Sequence, residues 1–133
     1  MPNDIGITAS CFDLLHAGHV TMLKEAKSKC GYLICCLQVD PSIERKEKNK
    51  PIQSLVERYI QLKAVKYVDE IIPYCSEIDL LEILTTRQID IRFIGQEYKH
   101  KKFTGSELPV PTHYTSRQHG FSSSELRQRI LIN

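Results

Sequence analysis

The sequence has almost no excess charge. Its 18 Lys and Arg stand against 16 Asp and Glu, a formal net charge of +2. So even a balance provides no general field for holding a polyanion, which excludes nucleic acid as the default partner; basic character that matters must be local, as in "ERKEKNK" (44–50). Long apolar runs are missing too. None approaches the ~20 residues of a membrane-spanning helix, and the opening "MPNDIGITAS" has no basic stretch leading into an apolar one, which argues against a secretory signal. The five cysteines (11, 30, 35, 36, 75) form no Cys-x-x-Cys pair and no Cys/His spacing for zinc, so no metal site is expected. An odd number of thiols, with Cys35 and Cys36 inside an apolar run, suits small reduced core residues and a cytoplasmic setting. Cys11 is set apart by its neighbours. No repeat or linker divides the 133 residues, so a single domain, 1–133, is expected.

What is present is an alternation. "IGITAS" (5–10) is a β-rich run, and "HVTMLKEAKSK" (19–29) carries Val20, Leu23 and Ala26 at helical spacing before Gly31 stops it. "YLICCLQV" (32–39) is unbroken apolar, as in a strand covered on both faces. A lysine-rich loop spans about 40–53, and "SLVERYIQLKAVKY" (54–67) opens with a Ser three residues before Glu57, a capping-box pattern. "EIIPY", "SEIDLLEILTTR", "IDIRFIG", the loop "KHKKFTGSELP", the weak strand "VPTHY" and the helix "SSSELRQRILI" complete the chain. Strands separated by helices predict an α/β fold, a Rossmann-like doubly wound parallel sheet with right-handed crossovers. Ligands of such sheets gather at the carboxyl ends of the strands, near the switch in strand order. The polar oddities of this chain fall at those ends: Ser10 to His19, the lysine loop, Gly95 to Lys102, and "TSRQHGFSSS".

The most informative stretch is "CFDLLHAGHV" (11–20), where His16 and His19 flank Gly18 as the first strand gives way to a helix. One histidine at a helix start carries no message. Two, with a glycine that lets a phosphate approach the first-turn N–H groups, form a donor set suited to phosphoryl or nucleotidyl transfer. In such reactions positioning and charge stabilisation do most of the catalysis.

These residues resemble the His-x-Gly-His signature of the cytidylyltransferase-like nucleotidyltransferases. "LVERYIQLKAVKYVDEIIP" is similar to the middle segment of that family, "FIGQEY" to its fourth-strand end, and "RQHGFSSSELRQRI" to its second signature, so the resemblance covers nearly the whole chain. Class I aminoacyl-tRNA synthetases share the first motif, but no tRNA-binding extension is visible here. The resemblance implies that His16, His19 and Arg117 are catalytic, with the histidines stabilising the α-phosphate as it becomes five-coordinate. It implies nucleotide contacts from Cys11, Phe12, Gly18, Lys50, Gly95, Gly120, Phe121, Ser122, Ser123 and Ser124, and acceptor contacts from Lys48 and Lys50. Mg²⁺ would be held mainly by the substrate phosphates, the substrates would be a nucleoside triphosphate and a small phosphorylated acceptor, and the assembly would be a homodimer. The "SSS" run reads equally as a helix cap, and the lysine loop as a solvated charge run.

Departures from the family pattern bear on the substrates. Cys11 stands where glycerol-phosphate members usually have Thr, "GQEY" leaves Glu97 as the only acid after the fourth strand, Lys66 stands where cytidylyl members often have Arg, and "YCSEIDLLE" (74–82) lacks their acceptor lysine. "KYVDEIIP" leans towards CTP, whereas "CFDLLHAGHV" and "YKHKKFTGS" lean towards the heptose-phosphate adenylyltransferases. The sequence reading favours cytidylyl transfer to glycerol 3-phosphate or a similar alcohol. Its alternatives are adenylyl transfer to a sugar phosphate and a non-catalytic nucleotide-binding module.

Overall fold

The computed structural model describes residues 4–132; residues 1–3 and 133, the extreme ends of the domain expected from sequence, lie outside the described residues. Five strands and four helices alternate: β1 Ile5–Ser10, α1 Ala17–Lys27, β2 Tyr32–Gln38, α2 Leu55–Lys63, β3 Glu70–Tyr74, α3 Glu77–Thr86, β4 Ile91–Gly95, β5 Thr112–Thr115 and α4 Ser123–Ile132, with a 3-10 turn at Gln96–Tyr98. All strand pairs are parallel and the order is β3-β2-β1-β4-β5. The chain winds outward from β1 to β3, then returns to the other side of β1 as β4. The switch point therefore lies between β1 and β4, whose carboxyl ends part to leave a crevice. No helix of the described residues is long and apolar enough to cross a membrane.

Alternation along the strands divides the core in two. Leu33, Cys35 and Leu37 of β2 face α1 and α2, where they pack with Leu23, Ala26, Leu62 and Phe93. Ile34 and Cys36 point the other way, with Ile7, Leu80 and Leu84 under α3. Fully burying each such Leu or Ile stabilises the fold by ~1.5–3 kcal/mol. Leu23, Leu33, Leu37 and Leu62 are all completely covered, so the α1–α2 layer holds the end of β1 against a rigid wall.

The strands and the capping box of α2 (Ser54, Glu57) follow the sequence closely, and α3 opens with a second capping box (Ser76, Asp79). Two expectations need correction. The first helix starts at Ala17, with His16 as its cap, rather than near His19, because the histidine ring itself satisfies a first-turn N–H. Cys75 is exposed at the end of β3 and is no core residue, unlike buried Cys30, Cys35 and Cys36.

Candidate active site

A cavity of about 460 Å³ opens at the carboxyl ends of β1 and β4. On one side stands the turn from β1 into α1. Phe12 and Leu14 both adopt left-handed backbone conformations there (φ 51° each), which costs free energy in non-glycine residues. The surroundings hold them. Phe12 is buried in the core, the Leu14 N–H donates to Gln53 Oε1 (2.7 Å), and the Asp13 carboxylate accepts from the Ile52 and Gln53 N–H groups (2.9 and 3.0 Å).

Arg58 locks the same corner from below. It is 2% exposed, and its guanidinium donates to the carbonyls of Cys11 (3.0 Å), Gln38 (2.6 Å), Val39 (2.7 Å) and Gln53 (3.2 Å). Three of those carbonyls lie at the ends of β1 and β2 and the fourth just before α2, so one buried guanidinium ties three segments together. Arg58 was not among the residues nominated from sequence, although it occupies a buried helical position four before Leu62, where an apolar residue belongs. A charge on the apolar stripe was the available signal.

The two histidines are both caps and donors. The Gly18 N–H donates to His16 Nδ1 (2.9 Å), and the His16 N–H donates to His19 Nδ1 (3.1 Å), a capping box with imidazoles in place of the usual side chains. An Nδ1 that accepts a hydrogen bond puts the proton of a neutral ring on Nε2. The fold thus sets the tautomer, and Nε2–H is the donor each ring has left. His16 Nε2 lies 3.0 Å from Ser123 Oγ, and the ring centroids of His16 and His19 are 4.1 Å apart. Burial, with the neighbouring His16 second, pushes His19 down to about 4; burial, followed by His119 and Arg117, also lowers His16. Both rings are held towards the neutral form at neutral pH.

The role expected of Gly18 changes accordingly. A Cβ there would stand 2.7 Å from His16 Cε1 and 2.9 Å from the Phe121 carbonyl oxygen. The absent side chain makes room for the imidazole and for the loop before α4, and the Gly18 N–H is already engaged. That N–H, which the sequence reading left open to a phosphate, meets the His16 ring in this structure, while Gly18 still lines the cavity.

On the far side, Ser122 caps α4 by accepting from the Glu125 N–H (3.1 Å), while Ser123 meets His16. Phe121 and His119 stack with centroids 5.2 Å apart at the mouth. Arg117 pairs with Glu97 (2.8 Å) across the mouth, and the Glu97 carboxylate folds back over Gly95, where a Cβ would collide with it.

Of the residues nominated from sequence, Cys11, His16, Gly18, His19, Lys48, Gly95, Arg117, Phe121, Ser122 and Ser123 line the cavity. Phe12 and Lys50 line a smaller adjoining recess of about 220 Å³ that also touches Cys11, His19 and Lys48. Gly120 and Ser124 line neither; Gly120 supplies the left-handed turn (φ +74°) before α4. Tyr74, Glu77 and Arg92 also line the cavity and were not anticipated.

Fold and cavity together define a doubly wound α/β domain with a polar, cation-bearing cleft at its switch point. The chain belongs to the cytidylyltransferase-like family, whose model matches residues 7–129. It is 34% identical over 127 residues to the bifunctional protein HldE of Helicobacter pylori (strain HPAG1), an alignment covering 95% of this chain and 27% of that one. The chain thus spans about a quarter of the length of the HldE proteins it matches. It is 30% identical to the FAD synthase of Thermococcus sibiricus, over 83% of this chain and 82% of that one. Among solved structures, a lipopolysaccharide core biosynthesis protein from Thermoplasma volcanium superposes with a TM-score of 0.70 at 25% identity, covering 85% of this chain and 96% of that one.

Proposed function

We propose that this domain is an adenylyltransferase that joins ATP to a small sugar phosphate and releases pyrophosphate. The observation that carries the reading is the pair of neutral imidazoles at the switch point, each with Nδ1 engaged by backbone and Nε2–H turned away from it, that of His16 towards Ser123 Oγ. An oxygen of the acceptor phosphate attacks the α-phosphorus, a new P–O bond forms, and the bond from the α-phosphorus to the bridging oxygen breaks as pyrophosphate leaves. The Nε2–H of His19, and that of His16 once it turns from Ser123 Oγ, donate to the non-bridging α-oxygens as charge builds on them. Arg117 turns from Glu97 towards the triphosphate. Lys48, exposed on the loop after β2 and lining both recesses, faces the acceptor phosphate, with Lys50 beside it. Among the described residues no group of three or more His, Cys, Asp or Glu side chains is arranged to hold a metal. Mg²⁺, on this reading, would be held mainly by the phosphates of the triphosphate, and would supply neutralising charge there.

The choice of ATP over CTP rests on the relatives. A FAD synthase makes a product that contains an adenylyl group, and lipopolysaccharide core is built of sugars, which favours the alternative substrate pair over the CTP and glycerol-phosphate pair preferred from sequence. Pyrophosphate release over the four nucleoside triphosphates, each with a panel of phosphorylated acceptors, tests this. ATP with a sugar phosphate is expected to be fastest, and His16→Ala or His19→Ala to slow it by on the order of 10²-fold or more. CTP with glycerol 3-phosphate as the best pair would restore the cytidylyl reading. No turnover with any pair would leave a nucleotide-binding module.

A further inference from the structure

The loop that carries Arg117 is fastened to α1 at both of its ends. At the start of the helix His16 Nε2 meets Ser123 Oγ (3.0 Å), and Gly18 lies against the Phe121 carbonyl. Near its other end stands Glu25, the one acid of the helix, between buried Leu23 and Ala26. The Glu25 carboxylate accepts from the Ser116 N–H through both oxygens (3.0 and 3.3 Å) and from His113 Nε2 (2.7 Å). An ionised carboxylate only accepts, so the His113 ring carries its proton on Nε2. His113 in turn stands edge-on to Phe93 (centroids 5.8 Å apart, 72°), which is 1% exposed in the core. Neither Glu25 nor His113 lines the cavity.

Ser116 needs such an anchor. The ladder between β4 and β5 ends at the pair Gly95 and Thr115, and β4 then leaves in its 3-10 turn, so the next N–H of β5 lies past the sheet. From Ser116 onward the loop bonds to itself. Ser116 Oγ accepts from the Gln118 N–H (3.2 Å), the Arg117 carbonyl from the Gly120 N–H (3.2 Å) and His119 Nδ1 from the Phe121 N–H (2.9 Å). The Arg117 side chain is held only by its pair with Glu97, which is half exposed (53% and 46%), and an exposed pair contributes little. Where the guanidinium stands is therefore set by its backbone, one residue beyond the Glu25 contact.

Resting on the nucleotidyl-transfer reading, we infer that Glu25 is a positioning residue for the triphosphate. By holding Ser116 it fixes the root of Arg117 over the two histidines, and His113 holds Glu25 in turn. One rigid helix thus bears both the histidines that meet the α-phosphate and the anchor of the arginine that meets the rest of the triphosphate. Misplacing such a group by about 1 Å can cost on the order of 10²-fold.

The test compares Glu25→Ala, Glu25→Gln, His113→Phe, Arg117→Ala and the double variant of Glu25→Ala with Arg117→Ala. Gln keeps an oxygen for the Ser116 N–H; Phe keeps a ring against Phe93 but loses the bond to Glu25. Pyrophosphate release is measured with ATP varied against the fastest phosphorylated acceptor of the panel, and calorimetry follows binding of α,β-methylene-ATP. Glu25→Ala should raise the ATP KM and weaken the analogue by on the order of tenfold, with the acceptor KM unchanged. Glu25→Gln should recover most of that loss, and His113→Phe should fall between, which keeps the test open if Glu25→Ala does not fold. In the Arg117→Ala background Glu25→Ala should weaken the analogue no further, because it acts through Arg117. Additive losses, or a lowered melting temperature with analogue binding unmoved, would reduce Glu25 to a stabilising contact and overturn the proposal. Turnover with unchanged ATP KM in Glu25→Ala and His113→Phe overturns it and leaves nucleotidyl transfer standing. Analogue binding without turnover, weakened in Glu25→Ala and restored in Glu25→Gln, upholds the anchor and removes the enzyme reading. A wild type that neither turns over nor binds overturns both.

Discussion

The acid sensitivity of this fold should run through His19. Its folded pKa, about 4, lies below the 6.5 of an ordinary histidine, because burial and the neighbouring His16 disfavour the imidazolium. The unfolded chain therefore takes up the proton first as pH falls. The stability held by the neutral ring is complete above 6.5 and is lost progressively down to 4. One unit of pKa corresponds to about 1.4 kcal/mol, so the whole window is worth about 3 kcal/mol, of which about 2 kcal/mol is gone at pH 5. A protonated His19 would also offer an N–H to the His16 N–H it now accepts from, and so break the cap. The perturbation that isolates this group is His19→Gln, since Gln is an ordinary capping-box residue at that position and its amide oxygen can accept the same N–H. Urea unfolding at pH 7 and pH 5 should show wild type losing about 2 kcal/mol more than the variant. The other titrating groups are common to both chains and cancel in the difference. Parallel pH dependences for the two proteins would refute the assignment of a buried, neutral His19.

Two further outcomes are expected. Arg58→Ala should destabilise the fold by on the order of 3 kcal/mol or more, because three strand-end carbonyls and that of Gln53 lose their donor at once. Arg58→Lys should recover little, since an ammonium cannot reach all four; chemical denaturation with a loss below about 1 kcal/mol in the Ala variant would contradict this. Burial, opposed by Arg58, raises the Cys11 thiol, so maleimide at neutral pH should label exposed Cys75 well before Cys11. Saturating ATP should then slow labelling at Cys11 alone, and equal protection of both thiols, read by mass spectrometry, would remove Cys11 from the nucleotide site.

The sequence by itself determined the order and type of the elements. β1 and β3 coincide with the segments read from pattern, because apolar period and capping residues are local signals that survive in one dimension. It also placed His16, His19, Lys48, Arg117 and the serine turn at strand ends that converge, since a parallel α/β alternation admits few topologies. Only the tertiary structure decided what those residues do to one another. That the imidazoles cap their own helix, and so present Nε2–H, depends on a ring folding back onto Gly18 N–H. The closeness of Gly18 to the Phe121 carbonyl depends on two segments a hundred residues apart meeting at the switch point. Arg58 breaks the apolar stripe of its helix, whereas Tyr74, Glu77 and Arg92 look in sequence like ordinary members of amphipathic elements. Their meaning comes from partners, or missing partners, contributed by other strands and loops, and hydrogen-bond satisfaction inside a folded cavity has no one-dimensional signature.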